Sequence, residues 1–407
     1  MLSGSLVAQR VGIVPATPGI PIRGLTPSVR TDSGALRDIS RVSQLGGGRV
    51  LVNDRVTRRL LAFDSSLATF TVVLDTAGGT SPRYGGLPGV LIPYLGDSAL
   101  FLDGDAEAFV VIDPSGHVVR TMAPPKADDV MNLLADRNYL GSPAVDAHGR
   151  LFYGGSRYRD VSKPARDEQG GLKPYFYLPD SVPILRGDFE TRTVDTVAIV
   201  RGPAQKMVSS RGTGAPVSIP AFNPVPSTDE WVVLPDGTIA IVRAFDYHVD
   251  WVYPDGSRSS SPRMPFDWRR LTLEEKEQML DSTRKAHADA ASKMPQRPPS
   301  PIPGQPTFAR VPFMTVDPAD LPDYYPPIRK GQVYADRDGN VWILPTTSRL
   351  TNDGLIFDVV NRHGEVFERV RLPNGRTLAG FGPGGIVFMS SSPGPGRPYL
   401  ERARIVR

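Results

Sequence analysis

Short apolar runs separated by turn signals recur along most of this chain. The runs are rich in Val, Ile, Leu, Phe, Trp and Tyr, and pairs such as Asp-Gly and His-Gly lie between them. This pattern is typical of strands joined by tight turns. In the clearest unit, a run that begins at Trp231 is followed by turns at Asp236-Gly237 and Asp255-Gly256, which delimit four strands. The pattern predicts an all-β protein built from four-stranded units.

The spacing of the first turn in each unit predicts how many units there are. The residues that mark this turn are Gly47, Asp97, Gly149, Gly237, Gly339 and Gly384. Neighbouring markers are roughly 40 to 55 residues apart, the length of one four-stranded propeller blade, once segments without a strand pattern are set aside. We expect those segments to be insertions, at about 157–182, 203–221 and 266–312. The sequence therefore predicts a six-bladed β-propeller over 36–407.

The sixth blade is short of one strand, because 376–407 has room for only three. We expect a strand from residues 1–35 to complete this blade and close the ring, since closure removes unpaired sheet edges. The start of the same segment, 1–10, is similar to the tail of a secretory signal, with Ala8 before the cleavage point. A frayed terminus or a first strand is the alternative. The signal-like interpretation predicts an exported protein, periplasmic or extracellular.

One stretch, 268–294, has a helical pattern instead. Thr272 and Glu275 have the spacing of a capping box, which marks the start of a helix. The apolar stripe that follows is thin, at Met279, Ala286 and Ala290 among others. We therefore expect one helix on the surface, inside the longest insertion.

Composition narrows the function classes. The chain has 407 residues with 40 Gly, 41 Pro and no Cys, so disulfides, thiolate metal sites and a cysteine nucleophile are excluded. The net charge of +4 comes without a basic stripe, and we expect no nucleic-acid partner. No apolar run is long enough to predict a membrane-spanning helix. We expect a monomer.

The blade pattern resembles the six-bladed propellers of the NHL and TolB-like kind, over about 36–407. Two segments carry the resemblance most specifically: Leu-Pro-Asp-Tyr-Tyr-Pro-Pro-Ile at 321–328 and Asp-Arg-Asp-Gly-Asn-Val-Trp-Ile at 336–343. They look like a phrase found in exported bacterial propellers of unassigned function. The resemblance implies a fold and an export route, and it implies no substrate.

The three insertions are expected to rise from one face of the ring, where the second and third strands of a blade are joined and one blade leads to the next. Long loops on a rigid scaffold often carry function. On this face Asp246 and His248 could form an oriented general base, or a hydrogen-bonded corner. Tyr324 and Tyr325, beside Arg329, suit ligand stacking or protein contact, with ordinary packing as the alternative.

Lactonase-type six-bladed propellers hold a divalent metal over the channel with a Glu, Asn and Asp set. By that resemblance, candidate ligands are Asn138 and Asn223, at the starts of the first strands of blades three and four, and Asn53 and Asp54, at a blade-one loop. No channel-facing Glu can be identified from the sequence, which weakens the enzyme interpretation.

A separate acidic turn in blade two contains Asp103, Asp105 and Glu107. In an extended segment their carboxylates share one face, which suits Ca²⁺, whereas a solvated turn is the alternative. No other cofactor is expected. The Gly-x-Gly-x-x-Gly sequence at 380–385 precedes a strand and predicts a turn rather than a phosphate site.

These observations predict a binding propeller of the bacterial cell envelope that uses its elaborated face. Its partner would be an unknown small molecule, carbohydrate, peptide or protein. The alternative function is a calcium-dependent, lactonase-like hydrolase or lyase with the ion over the central channel.

Overall fold

The computed structural model describes residues 19–32, 34–76, 83–134, 141–155, 181–202, 206–210, 217–293, 313–350, 354–391 and 397–407. Two short strands come first, β1 (Ile22–Arg23) and β2 (Val29–Arg30). The first blade contains β3 (Arg41–Gln44), β4 (Val50–Asp54), β5 (Arg59–Phe63) and β6 (Phe70–Leu74). The second contains β7 (Val90–Pro93), β8 (Ala99–Asp103), β9 (Ala108–Ile112) and β10 (Val118–Met122). After a short helix, α1 (Val130–Leu134), the third contains β11 (Ala144–Val145), β12 (Leu151–Gly154), β13 (Ser181–Gly187) and β14 (Val194–Arg201).

A hairpin of β15 (Met207–Ser210) and β16 (Val217–Pro220) precedes the fourth blade. That blade contains β17 (Glu230–Val233), β18 (Ile239–Arg243), β19 (His248–Val252) and β20 (Arg258–Ser260), and the long helix α2 (Leu273–Lys293) follows. The fifth blade contains β21 (Val333–Ala335), β22 (Val341–Ile343), β23 (Ile356–Val360) and β24 (Val366–Arg371). The sixth contains β25 (Arg376–Gly382), β26 (Ile386–Ser391) and β27 (Tyr399–Arg404). Single 3-10 turns lie at 46–48, 95–97, 127–129, 318–320 and 346–350.

The sheets form a closed ring of six blades, as the turn spacing predicts. The first strand of each blade lies innermost: β3 contacts β25 on one side and β7 on the other, and the series continues through β11, β17 and β21. All strand pairs that follow one another within a blade are antiparallel. The prediction of a six-bladed propeller is confirmed.

Ring closure comes from β2, which pairs antiparallel with β27 and gives the sixth blade its fourth strand. Thr31 extends this pairing, because its N–H donates to the Leu400 carbonyl at 2.9 Å and its hydroxyl accepts from the Leu400 N–H at 3.1 Å. The predicted N-terminal closing strand is confirmed. The structure adds β1, which pairs parallel with β24 at the outer edge of the fifth blade.

The core lies between the blades. Side chains alternate across each strand, so both faces of a blade are apolar and each meets a neighbouring blade. Trp231 packs toward Phe152 of the third blade, whereas the next residue, Val232, packs toward Val341 and Ile343 of the fifth. Each blade is therefore stabilised by apolar contacts with the blades on both sides of it.

Two faces follow from this layout. The turn face carries the hairpins that join first to second and third to fourth strands, for example 113–117, 146–150 and 336–340. The insertion face carries the joins between second and third strands, for example 55–58, 104–107 and 244–247, together with the connections between blades. The predicted insertions 157–182, 203–221 and 266–312 all belong to such connections, although 156–180, 203–205, 211–216 and 294–312 lie outside the described residues.

The predicted helix is present as α2, and its capping box is formed: the Glu275 N–H donates to the Thr272 hydroxyl, and the Thr272 N–H donates to the Glu275 carboxylate. The predicted apolar stripe is only partly right. Lys276 and Leu280 are the buried positions of α2, while Ala286 and Ala290 are exposed. Lys276 is tolerated there because its ammonium donates to the Leu321 carbonyl at 3.0 Å. No helix among the described residues is long and apolar enough to cross a membrane.

Candidate functional site

Four aromatic side chains run from the core to the surface of the insertion face. Tyr247, Phe266, Trp268 and Tyr324 follow one another with ring centroids 5.6, 5.0 and 6.5 Å apart, each pair edge to face. Tyr247 is 1% exposed, whereas Trp268 and Tyr324 are 45% and 48% exposed. We call this series the aromatic row. It presents two large, rigid side chains to solvent on a buried foundation.

The buried end of the row is fixed by blades four and five together. Tyr247 ends the turn between β18 and β19 with a left-handed φ of 45°. Its hydroxyl donates to the Asp358 carboxylate on β23 at 2.8 Å. Arg369 in turn donates to Asp358 at 2.8 Å, so the carboxylate is held from two sides. Burial raises the pKa of Tyr247 well above its ordinary value, and the phenol remains a donor.

The exposed end is fixed by backbone pairing. The segment that carries Trp268 is fastened to 321–325, because the Leu271 N–H donates to the Asp323 carbonyl at 2.8 Å and the Tyr325 N–H donates to the Arg269 carbonyl at 3.0 Å. Arg269 also lies over the Tyr325 ring, 5.5 Å from its centroid. The two exposed aromatic residues therefore stand on ordered segments.

Phe245 adds a third exposed aromatic side chain to this face, at 62% exposure. It lies in the same turn as Tyr247, and the Arg201 guanidinium lies over its ring at 4.5 Å. We call Phe245, Trp268 and Tyr324 the aromatic surface. Tyr324 was predicted as a contact residue; Phe245 and Trp268 were not, because nothing in their local pattern separates an exposed aromatic residue from a core one.

The other predicted residues of that segment are mostly inside. Tyr325 is 4% exposed, and burial and the Glu275 charge raise the pKa of its phenol. Arg329 is half-buried, and its N–H donates to the Leu344 carbonyl at 3.0 Å. Tyr325 thus supports the surface from below, and a contact role for Arg329 stays a prediction.

The predicted pair of Asp246 and His248 is brought together. His248 Nδ1 lies 2.9 Å from Asp246 Oδ1, and Nε2 lies 3.1 Å from Asp250 Oδ1. Arg243 donates to Asp250 at 2.7 Å and to Asp229 at 2.7 Å. Burial alone would raise the pKa of Asp250, but the hydrogen bonds from Ser260 and Arg243 outweigh it and hold the pKa low. His248 lies inside a network that ties β18 to β19, and a role as general base stays a prediction.

A buried carboxyl group that the sequence did not point to lies at the start of an innermost strand. Glu230 is 7% exposed and accepts a hydrogen bond from the Gly331 N–H at 3.0 Å. Burial raises the pKa of Glu230 to about 7, against the hydrogen bond and the positive charge of Lys330. Burial also lowers the pKa of Lys330 to about 8. The only sequence signal is an acidic residue at the first position of a buried strand.

The residues suggested by lactonase-type propellers satisfy backbone groups. The Asn53 amide donates to the Gly89 carbonyl at 2.8 Å and accepts from the Tyr84 hydroxyl at 2.9 Å. Asp54 accepts from the Arg37 and Thr57 N–H groups at 2.8 and 3.0 Å. Asn223 accepts from the Val225 N–H at 2.9 Å. Asn138 lies outside the described residues.

The acidic turn of blade two is organised in the same way. Asp103 is buried and accepts from the N–H groups of Asp105 and Ala106 at 3.0 and 3.3 Å. Asp105 accepts from the Gly86 and Leu87 N–H groups, and Glu107 is exposed. Over the described residues, no group of three His, Asp or Glu side chains could hold a metal ion. Calcium binding by Asp103, Asp105 and Glu107 stays a prediction.

No model of a known protein family matches the sequence, and no curated protein matches it. Solved structures with a similar chain course include regucalcin from Agrobacterium tumefaciens, a calcium-binding protein, with 12% identity, a TM-score of 0.40, and coverage of 94% of this chain and 96% of that one. Virginiamycin B lyase from Staphylococcus aureus has 9% identity, a TM-score of 0.40, and coverage of 93% and 99%. A protein from Bacteroides fragilis described as exported has 8% identity, a TM-score of 0.45, and coverage of 94% and 95%. At these identities and TM-scores, the similarity indicates no function for this chain.

Proposed function

We propose that this protein is a binding propeller of the bacterial cell envelope that holds a partner protein on the aromatic surface of its insertion face. The observation that carries the proposal is the aromatic row, which anchors exposed Trp268 and Tyr324 to the buried Tyr247. The signal-like 1–10 segment supports the envelope location.

Exposing large aromatic side chains to water is unfavourable, and burying them against a partner removes this unfavourable free energy. Phe, Tyr and Trp side chains contribute much of the apolar area buried in interfaces, and Trp, Tyr and Arg dominate the energetic centres of protein contacts. Here Phe245 lies under the Arg201 guanidinium, and Trp268 lies between two other rings. Because these side chains are already ordered, a partner pays little additional entropy to dock on them.

A protein partner fits the surroundings better than a carbohydrate. Charged side chains of both signs border the aromatic surface, and they include the pairs Arg263 with Asp246 and Arg269 with Glu275. Aromatic and Arg residues are enriched in protein interfaces, and a rim of mixed charge selects among partners. Carbohydrate binding is one outcome of the test below.

The alternative, a calcium-dependent hydrolase or lyase, would need oxygen ligands that converge over the channel. Among the described residues, Asn53 and Asp54 use their side chains to hold backbone groups, and no three-ligand group is present.

The test compares three tagged forms of the full chain as baits in an envelope extract of the source organism. One is unaltered, and the second carries Phe245→Ser, Trp268→Ser and Tyr324→Ser. The third is a matched control with Val72→Ser, Val119→Ser and Ile199→Ser, which removes equally exposed apolar side chains from outer strands. The same three forms are applied to a glycan array.

The proposal predicts a protein that the unaltered and control baits recover equally and that the aromatic variant recovers about tenfold less, or lower still. Recovery that is the same with all three baits would contradict the proposal. Glycan binding that disappears only in the aromatic variant would replace the protein partner with a carbohydrate.

A further inference from the structure

The centre of the ring contains an open cavity of about 630 Å³. Every blade contributes to its wall through the innermost strand or the residues beside it: Val42, Pro93, Val145, Val232, Val333 and Ala379. Cavities that hold small molecules commonly measure about 300 to 1,000 Å³ and have mostly apolar walls with a few polar groups. The central cavity has the size and the wall chemistry of a small-molecule site.

One end of the cavity opens among the first turns of the blades, on the turn face. Asp97 and Arg337 lie on opposite sides of this mouth, because the second and fifth blades face each other across a six-bladed ring. Arg337 Nη2 lies 2.6 Å from Asp97 Oδ1. The ion pair spans the mouth, and Asp97 is more than half exposed, so water competes for it and the pair can open.

The other end of the cavity carries a guanidinium. Arg41, at the start of β3, lines the cavity, and its Nη1 donates to the carbonyls of Leu91 and Pro143, both at 3.4 Å. These carbonyls belong to the second blade and to the entry of the third. Arg41 therefore reaches across three blades at the end of the cavity that lies toward the insertion face.

Charge along the cavity is unequal. Near the mouth the wall carboxylates already have partners. Asp97 pairs with Arg337 at 2.6 Å, Asp146 pairs with Arg150 at 2.7 Å, and Asp336 accepts from the Trp342 indole N–H at 2.9 Å. The far end has Arg41. The Arg41 guanidinium attracts a negatively charged group to the far end, while the apolar wall between the two ends favours an apolar body.

We propose that the central cavity binds a small amphipathic anion, with an aromatic or aliphatic body and one carboxylate or sulfonate group. It enters from the turn face between Asp97 and Arg337, and its acidic group lies toward Arg41. This site is separate from the aromatic surface, which lies on the opposite face, and it does not depend on the partner proposed above.

Two dyes that share one aromatic framework test the proposal with the full chain. 8-Anilinonaphthalene-1-sulfonate carries the anionic group, and N-phenyl-1-naphthylamine lacks it. Fluorescence titration should give saturable binding of either dye at one site per chain. Arg41→Met should weaken the sulfonate dye about tenfold or more and leave the neutral dye within about twofold, since only the former meets the guanidinium.

A second variant tests the entry route without touching the core. Ala147 is exposed and lines the mouth, so Ala147→Trp should weaken both dyes about tenfold or more by filling it. Glu190→Trp places the same side chain on an exposed turn at the outer edge of the third blade and should leave both affinities within about twofold.

The outcomes separate the parts of the proposal. Dye binding that Ala147→Trp does not change, or that saturates at several dyes per chain, places the dyes elsewhere and overturns the cavity site. Equal weakening of both dyes by Arg41→Met, with an unchanged circular dichroism spectrum, overturns the assignment of an anionic ligand.

Discussion

Glu230 is a carboxyl group that the fold places where water has little access. It lies at the first position of β17, accepts one backbone hydrogen bond, and has Lys330 as the nearby positive charge. Burial penalises its ionised form more than these two contacts favour it, so the pKa rises to about 7. Its protonation is therefore coupled to folding.

The sign of that coupling is set by the raised pKa. Above pH about 4.5 the unfolded chain ionises Glu230, while the folded chain keeps it protonated until pH about 7. The folded state then binds more protons, so this group's contribution to stability is full below the unfolded pKa and is lost as pH rises across this window. Glu230→Gln should flatten the fall in the free energy of unfolding over the same range, as measured by urea titration at several pH values.

Glu277→Gln provides the control, because Glu277 is exposed on α2. It should leave the pH dependence as it is in the unaltered protein. If Glu230→Gln also left the pH dependence of the unfolding free energy unchanged, Glu230 would be ionised in the folded state throughout this range, which would contradict the prediction.

For single residues, the sequence predicted which polar side chains lie at the ends of strands and in turns more reliably than it predicted what those side chains bind. Asp54 and Asp103, which were predicted in a loop and a turn, each end a second strand, and their oxygen atoms accept hydrogen bonds from nearby N–H groups. Asn53 is occupied by Tyr84 and Gly89, which are distant in sequence. A side chain's partner in a distant part of the sequence cannot be inferred from local spacing. The sequence therefore could not show that these oxygen atoms are already hydrogen-bonded, which is why they were predicted as metal or channel residues.

The hairpins of the turn face are the elements that the sequence predicted best, because their signal is local. In four of them one side-chain oxygen accepts from the N–H groups two and four residues later. The residues that supply this oxygen are Asp113, Asp146, Asp336 and Asn361. The glycine in each hairpin then adopts a positive φ. Asp or Asn followed by Gly thus encodes the turn directly.

Asp113→Ala should lower the free energy of unfolding by about 1 to 2 kcal/mol, since two turn N–H groups lose their acceptor, as in the loss of a helix cap. Asp113→Asn should cost about 0.5 kcal/mol or less, because Asn361 already makes the same two bonds in the fifth blade. Urea unfolding of the two variants measures both values. Equal losses would mean that the carboxylate charge, and not the hydrogen bonds, stabilises the turn.

Elements without a local signal were missed. The two-residue β1 has no alternation to detect, and the β15–β16 hairpin lies in a segment that was expected to be unpatterned. In α2 the stripe was misassigned because a lysine occupies a buried position, where the Leu321 carbonyl and the Asp323 carboxylate receive its ammonium. The structure of these elements depends on tertiary contacts with other parts of the ring, which the local sequence of each segment does not specify.

At the scale of the whole molecule, the repeat was sufficient to predict the fold. Six first turns imply six blades, and a three-stranded last blade requires a strand from the other end of the chain, which β2 supplies. The ring then separates two surfaces, an aromatic one on the insertion face and a cavity mouth on the turn face. The sequence predicted the face and Tyr324 for the first surface, but not Phe245, Trp268 or the cavity, since their exposure depends on how neighbouring blades pack.

The proposed function makes Trp268 a reporter of the binding surface. The chain has four tryptophans, and three of them, Trp231, Trp251 and Trp342, are 3%, 2% and 0% exposed. Quenching of fluorescence by acrylamide should therefore come mainly from Trp268, and Trp268→Phe should remove most of it.

The most direct test adds the purified partner recovered by the bait comparison and measures acrylamide quenching again. We predict that saturating partner protects Trp268 and lowers the quenching constant of the unaltered protein about threefold or more, as expected when an exposed side chain becomes buried in an interface. Saturated binding with unchanged quenching of Trp268 would place the partner away from the aromatic surface and contradict the proposed function.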